Sequence, residues 1–300
     1  MRISTSGFFQ TALNQMLGKQ SALSHTQQQL ASGKKLLTPA DNPPGAAQAL
    51  RIDNKINVYE QYQENIMHAE SRLFEEESVT GTVINHLQRV RELTVQGLNG
   101  SLGLPERNSI AFEVEGLLNE IVALANSTDA SGEFLFAGYQ GGDAPFSHDG
   151  LGNFSYTGDD GERSLRINDS SYVQTNDSGN AVFNNVVFSG GGVRSVFATV
   201  YDVMSDLRAN TPNSVSLTDL DNAIDHLGAI RAEVGARLNV LESAADLNAS
   251  VIYRLSVDLS QVRDLDYAEA ISRFTQQSTA LEASQKAFLK IQDLSLFKYI

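Results

Sequence analysis

The chain has 300 residues and a formal net charge of −14, from 36 acidic and 22 basic side chains. Phosphate recognition needs clustered Lys and Arg, so this balance argues against nucleic acid or an anionic membrane surface as a partner. Cysteine is absent, which excludes disulfides, thiolate metal sites and Cys nucleophiles. Residues 1–7 lack the apolar segment of a secretory signal, and the sequence contains no apolar run of membrane-spanning length. A soluble protein outside the general secretory route is expected.

The first predicted helix carries an apolar seam and is expected to end near Ser32-Gly33. The seam weakens where Gln20 and Gln27 replace apolar residues, because polar seam positions reduce the stability of helix pairing. A polar turn over 38–44 follows. There Asn42 is predicted to cap a second helix with Pro43 at its first position, where the missing N–H costs nothing.

The second helix is predicted from about residue 45 to 98, and Pro105 opens a third helix. The two are expected to form an antiparallel hairpin, since each has an apolar stripe on one face. Glu75-Glu76-Glu77 is interpreted as a solvated part of the second helix, with an acidic contact to a neighbouring subunit as the alternative.

Residues 129–192 are rich in glycine and contain short strand-like segments. The segments are 134–136, 154–156, 165–167 and 186–188. Asp149-Gly150 and Asp160-Gly161 are typical of tight turns between such strands. This region is therefore predicted to be a small antiparallel β domain inserted into a helical body.

Helical patterning resumes near Ser195, pauses over 210–212 and restarts at Thr218, whose spacing to Asp221 resembles a capping box. The long seam that follows has 4-3-4-3 spacing, broken only by Asn248. Its members are Val234, Leu238, Leu241, Ala245, Asn248, Ile252, Leu255, Leu259 and Val262. The seam is expected to pack against the stripes of 52–90 and 110–124.

A later apolar stripe is offset by one residue from this seam, and 263–266 is the predicted joint between the two. The later stripe contains Tyr267, Ile271, Phe274, Leu281 and Phe288. Like the first helix, this C-terminal arm has polar seam positions, at Ser278 and Gln285. Both arms are expected to gain order by packing together or against neighbouring subunits.

Catalytic and metal-binding patterns are absent from the sequence. The histidines are scattered, without an i, i+4 pair or an H-E-x-x-H motif. The segment Ser189-Gly190-Gly191-Gly192 lacks the lysine of a phosphate loop, and the acidic segments 159–161 and 176–179 fit turns better than calcium loops. The sequence therefore predicts a protein that is not an enzyme, with no catalytic, metal or cofactor-binding residue.

The N-terminal motifs resemble those of flagellin-type axial proteins. The likeness is carried by 30–36, 39–43 and 45–50. Other motifs resemble the hook-associated branch of that family, namely 2–6, 132–139 with Pro145-Phe146, and 291–297. Residues 147–192 carry no diagnostic motif. Asn42 stands where many relatives have Asp, which leaves the capping role intact.

This resemblance implies an α+β fold: an elongated, discontinuous helical bundle with a small inserted antiparallel β domain. The expected parts are terminal arms at 1–44 and 263–300, a helical rod at 45–130 and 193–262, and an outer β domain at 131–192. The implied function is a structural subunit that joins the flagellar hook to the filament. The alternative is a flagellin, the bulk filament subunit; a surface protein that uses flagellin-like ends to display an active β domain is a third possibility.

The resemblance also implies partners and a route to the cell exterior. The partners are the first hook-associated protein, flagellin, further copies of the chain in a junction layer, and a cytoplasmic export chaperone on the C-terminal arm. Export would use the flagellar type III apparatus. The residues expected to form the assembly and chaperone interface are Leu13, Met16, Leu23, Leu30, Ile271, Phe274, Leu281, Phe288 and Ile291.

Overall fold

The computed structural model describes residues 5–296, with side chains at residues 7 and 9–290. Its helices are α1 (Thr5–Ser32), α2 (Pro43–Gly97), α3 (Leu104–Ala125), α4 (Val196–Arg208), α5 (Val215–Arg263) and α6 (Tyr267–Leu296). Its strands are β1 (Phe146–His148), β2 (Phe154–Tyr156), β3 (Ser164–Arg166), β4 (Tyr172–Gln174), β5 (Val186–Val187) and β6 (Val193–Arg194).

The chain divides into two compact units. The first unit comprises the described residues of Met1–Val58 and Ser250–Ile300, and the second unit is Tyr59–Ala249. The predicted separation of a helical rod from an outer β domain stays a prediction.

The helix boundaries follow local signals in most places. As predicted, α1 ends at Ser32 and α2 begins at Pro43, where the Asn42 Oδ1 accepts the Gly45 N–H at 3.1 Å. The capping box predicted at Thr218 is wrong, because α5 begins at Val215. The Asn213 side chain accepts the Val215 N–H at 3.0 Å, so an earlier polar residue satisfies the first free N–H donor of this helix.

The main core of the second unit joins α2, α3, α4 and the start of α5. An aromatic group lies inside it, in which the rings of Phe183 and Phe197 stack with centroids 5.4 Å apart. Phe136 and Phe146 pack edge-on against Phe183. Each such ring removes a large apolar area from water, which makes this cluster a main source of stability.

A smaller core explains where the long α5 seam packs. Val234 and Leu241 are buried with Ile66 and Leu73 of α2, as predicted. The expected contact of this seam with α3 is wrong, because the β3–β4 hairpin supplies Ile167 to the same cluster, whereas α3 belongs to the main core.

Asn248, the polar interruption of the seam, is fully buried. Its Nδ2 donates to the Ile167 carbonyl at 2.9 Å. The asparagine thus ties α5 to the backbone beside β3, since a buried carbonyl needs a hydrogen-bond partner.

The β region consists of three separate two-stranded antiparallel sheets, β1–β2, β3–β4 and β5–β6. Asp149-Gly150 lies in the β1–β2 loop as predicted, whereas Asp160-Gly161 connects strands of different sheets and does not close a hairpin. The strand predicted at 134–136 is also wrong, because only Phe134 takes part in strand pairing, in an isolated bridge to Thr128. The Phe136 carbonyl accepts the Tyr156 hydroxyl at 3.0 Å and the Gly179 N–H at 2.8 Å, so this backbone is satisfied without a strand ladder.

The interpretation of Glu75-Glu76-Glu77 as a solvated face is wrong. Glu76 is only 1% exposed, and burial, followed by the neighbouring Asp177, raises its pKa well above the usual range. Glu77 pairs within the unit with Arg231 at 2.5 Å. The contact to a neighbouring subunit stays a prediction for Glu75.

Candidate functional site: the paired terminal helices

The first unit brings the two predicted terminal stripes together, because α1 packs along α6. The Phe9 and Phe288 rings meet edge to face with centroids 5.6 Å apart. Farther along the pair, the Lys19 Nζ donates to the Ser284 Oγ at 2.6 Å. The expectation that the arms pack together is therefore met within one subunit.

This pairing covers the predicted interface residues only in part. Leu13 keeps 38% and Ile271 54% of its surface exposed. The other described members of the set are half-buried, namely Met16, Leu23, Leu30, Phe274, Leu281 and Phe288. The side chain of Ile291 lies outside the described residues. Further apolar area on this set therefore remains accessible to a partner.

The first unit also lacks an apolar cluster of its own among the described residues. Both clusters consist of second-unit residues, whereas the apolar side chains buried in the described part of the first unit are Leu259, Leu265 and Ala270. Large apolar residues are instead exposed, including Leu17, Leu50, Tyr253 and Leu289. Sequence reasoning missed these four, since they lie beside the predicted seams and not in them.

Small side chains cover a second face of α6. Ser272, Thr275, Thr279 and Ala283 line a shallow surface there with Gln276 and Ala280. At 100° per residue these positions lie roughly opposite the Phe274–Leu281–Phe288 stripe. A face of this kind lets another helix approach closely.

A two-stranded bridge, which we call the clasp (residues 33–35 and 263–267), joins the arms at the predicted joint. The Lys35 N–H donates to the Arg263 carbonyl at 2.7 Å, and the Leu265 N–H donates to the Gly33 carbonyl at 3.0 Å. Gly33 has a φ of +69°, which favours glycine. The Gln29 Nε2 donates to the Lys35 carbonyl at 2.7 Å, so a buried polar residue of α1 fixes the clasp.

Acidic side chains accept hydrogen bonds within the clasp and in the turn that follows its first strand. The Asp266 Oδ1 accepts the Ala268 N–H at 2.9 Å and thereby starts α6. The Asp41 carboxylate accepts the Thr38 N–H at 2.8 Å, and this bond lowers the pKa of Asp41 below its ordinary value. The pKa of Asp264 is also lowered, mainly by a hydrogen bond from the Ser260 side chain and to a smaller extent by Arg263. These groups order the turns of the unit and are not arranged around a shared ligand.

Two family models match the chain at its two ends. The bacterial flagellin N-terminal helical region matches residues 3–141, and the bacterial flagellin C-terminal helical region matches residues 217–300. The chain belongs to the flagellin family. Family membership confirms the predicted α+β fold class with its helical termini, and the protein is a structural component of the bacterial flagellum.

Within the flagellin family, the chain is similar over nearly its whole length to flagellar hook-associated protein 3. The protein of that name from Escherichia coli strain K12 is 29% identical over 317 aligned residues, which cover 99% of each chain. The flagellin of Bacillus subtilis is 25% identical and covers 95% of this chain. The resemblance to the hook-associated branch predicted from the motifs is thus confirmed.

Solved structures of family members share the fold. A hook-associated protein 3 from Legionella pneumophila superposes with a TM-score of 0.65 at 22% identity, covering 70% of this chain and 98% of that one. A putative flagellar hook-associated protein from Vibrio parahaemolyticus gives a TM-score of 0.67 at 19% identity and covers 75% of this chain.

The described part of the chain carries neither a cluster of metal ligands nor a membrane-spanning helix. The described side chains, those of residues 7 and 9–290, include no group of three or more His, Cys, Asp or Glu placed to hold a metal ion. No helix among the same residues combines the length and apolar character that crossing a bilayer requires.

Proposed function

We propose that the chain joins the flagellar hook to the filament by self-association in a junction layer. One face of this layer would contact the first hook-associated protein, and the other would contact flagellin. The observation that carries the proposal is the first unit itself, whose paired helices leave most of their apolar residues exposed or half-buried. Such a unit is stabilised by neighbours more than by its own interior.

The mechanism is burial on assembly. Each Å² of apolar surface removed from water contributes about 25 cal/mol, so covering exposed residues such as Leu13, Leu17 and Ile271 offsets the conformational entropy lost when the arms are ordered. Two exposed surfaces serve this burial on α6: the partly covered apolar stripe and the small-residue face. The proposed interface consists of the terminal-arm residues Leu13, Met16, Leu23, Leu30, Ile271, Phe274, Leu281, Phe288 and Ile291.

The subunit would reach this position through the flagellar type III export apparatus, without a general secretory signal. A cytoplasmic chaperone is proposed to hold the C-terminal arm beforehand. Ile271, Phe274 and Leu281 present an apolar strip along one helix, which suits the groove of a helical partner.

Electron microscopy of isolated hooks that already carry the first hook-associated protein tests this function. Added wild-type protein should form a thin, finite layer that then accepts flagellin. Leu281→Asp should prevent layer formation, because a carboxylate would be buried in the interface. Leu151→Asp is the matched control, since Leu151 is an exposed loop residue of the second unit.

Two results would contradict the proposal. Continuous growth of the wild-type protein into a long filament would make the chain a flagellin, the alternative function. If Leu281→Asp formed normal layers, the terminal arms would not be part of the interface. Circular dichroism of both variants should show an unchanged thermal transition of the second unit, which separates an assembly defect from misfolding.

A further inference from the structure

The charges of the chain are unevenly distributed between the two units. The first unit contains 12 basic and 8 acidic residues, and the second contains 10 basic and 28 acidic residues. Their formal charges are therefore +4 and −18. Every lysine of the chain belongs to the first unit, whereas the basic residues of the second unit are all arginines.

The arginines of the second unit are already engaged inside it. Arg72 pairs with Asp129 at 2.6 Å, Arg91 with Asp221 at 2.6 Å and Arg208 with Glu115 at 2.7 Å. Arg107 and Arg166 donate to backbone carbonyls. The remaining five, at 89, 163, 194, 231 and 237, each pair with a carboxylate of the same unit. The second unit thus has an excess of carboxylates over available cations.

Part of this excess surrounds an open apolar groove between α2 and α5. Two adjoining openings share Phe74, Leu238 and Asn239, and one of them encloses about 630 Å³. Phe74 is 66% and Met67 61% exposed. A Cβ added at Gly228 or Gly235, which line the second opening, would meet no atom within 4 Å. The groove therefore presents the apolar side chains of Met67, Phe74 and Leu238 and has room for side chains from outside, while Arg231, which also lines it, is already paired with Glu77.

The rim of this acidic groove is formed by Glu70, Glu75 and Glu242. None of the three has an ion pair among the described residues. The Glu75 Oε2 atom is also buried without a hydrogen-bond partner. Three carboxylates without a cation along one groove favour a cationic partner.

A surface of matching chemistry lies on the first-unit part of α2. Leu50 and Val58 are exposed there although apolar, and the exposed cations Arg51 and Lys55 lie beside them. Residues 51, 55 and 58 are spaced i, i+4 and i+7 and so share one helix face. Neither Arg51 nor Lys55 forms an ion pair in the described structure. We call Leu50, Arg51, Lys55 and Val58 the basic stripe.

We propose that the acidic groove of one copy binds the basic stripe of a second copy. This inference rests on the proposed self-association and names the surfaces that carry it out. Both surfaces use the same unbroken helix, α2, and a helix cannot fold onto itself. The stripe can therefore enter a groove only on another molecule. Leu50 and Val58 would cover Met67 and Phe74, while Arg51 and Lys55 would pair with the rim.

The contact is heterologous, because two different surfaces meet. Repetition of such a contact generates a ring or a helical layer instead of a closed dimer. Its electrostatic part also predicts an unusual response to salt. Copies with a net charge of −14 repel one another, and screening would normally favour their association. If stripe and groove direct assembly, added salt should instead slow it.

Charge reversal tests the pairing on hooks that carry the first hook-associated protein. The groove variant is E70K/E242K and the stripe variant is R51E/K55E. Each alone should form layers on at least tenfold fewer hooks than the wild type, because like charges then face each other. An equimolar mixture should restore the layer, since reversed grooves match reversed stripes and native grooves match native stripes.

The control variant is D143K/E233K, which adds the same charge as the groove variant. Both positions are exposed, and Glu233 lies on the face of α5 opposite the groove. This variant should form layers as often as the wild type. If the reversal variants do not fold, the neutral pairs E70Q/E242Q and R51Q/K55Q carry the test, with a smaller expected loss and a weaker salt response.

The outcomes separate this inference from the proposed function. If the wild type forms the layer and the reversal variants do so equally well, the groove–stripe contact is overturned and the junction function stands. If the mixture fails to restore the layer, the two surfaces do not pair with each other. If the wild type itself forms no layer, the junction function fails first.

Discussion

The Gly33 carbonyl accepts the Leu265 N–H at 3.0 Å, which fastens the end of α1 to the start of α6. Both residues stand where their helices are interrupted, so neither group has a partner within a helix. A second hydrogen bond joins the same segments, from the Lys35 N–H to the Arg263 carbonyl. Ordering of one arm is thereby linked to ordering of the other.

Gly33→Ala should weaken the clasp. Its φ of +69° is unfavourable for alanine, and an added Cβ would lie 2.8 Å from the Tyr267 Oη. A residue with a side chain in this conformation costs about 1–2 kcal/mol. We expect earlier thermal loss of helix and faster hydrogen exchange at the Leu265 amide. Gly18→Ala is the control, since a Cβ there meets nothing within 4 Å and should stabilise α1 by about 0.5–1 kcal/mol. Equal effects of the two substitutions would contradict a role for the Gly33 conformation.

Glu76 should make the second unit less stable as pH rises. Burial is the largest cause, and neighbouring Asp177 the next, of a pKa of Glu76 well above the ordinary value of 4.5. The folded state therefore holds the carboxyl proton more tightly than the unfolded chain does. The contribution of Glu76 to the free energy of unfolding is therefore fully present below pH 4.5 and is lost as pH rises through the raised pKa. Glu76→Gln should remove this dependence and stabilise the unit at alkaline pH. Urea denaturation across the range checks this, and parallel curves for the two proteins would contradict it.

Asn248→Ala should destabilise the second unit although the residue interrupts an apolar seam. The substitution leaves the Ile167 carbonyl without the donor it has at 2.9 Å. An unsatisfied buried acceptor costs about 1–3 kcal/mol, measurable as a lower urea midpoint. Asn239→Ala on the exposed side of the same helix should change stability by less than about 0.5 kcal/mol. A neutral Asn248→Ala variant would show that water replaces the amide.

Phe183→Ala should be among the most destabilising single changes. Phe183 is fully buried and its ring contacts those of Phe136, Phe146 and Phe197. Removal of a buried phenyl ring costs about 3–5 kcal/mol. Phe112→Ala is the comparison, because Phe112 is exposed and, among the described side chains, has a ring contact with Arg208 alone. Calorimetry should show a much larger decrease in Tm for the first variant, and similar decreases would contradict the central role of the aromatic group.

Several features could be predicted from the sequence because neighbouring residues determine them. Asn42-Pro43 starts α2 through a cap that lies three residues from its donor, and the break at 263–266 follows from an offset in apolar spacing. The seams themselves are periodic, so helix type, length and buried face are readable along the chain. The motifs at both ends also sufficed to indicate the flagellin family.

The tertiary structure decided what each of these faces meets. Glu76 is indistinguishable from Glu75 and Glu77 in sequence, and only the tertiary structure shows that it is buried, with Asp177 from a distant part of the chain beside it. Residues 134–136 have strand-like composition, yet Phe134 forms only an isolated bridge to Thr128, and the Phe136 carbonyl accepts a hydroxyl and an N–H from residues 20 or more positions away. The groove and the clasp likewise join segments far apart in the chain. The burial of a residue and its hydrogen-bond partners depend on which distant segments pack against it. The periodicity of the sequence does not specify those segments.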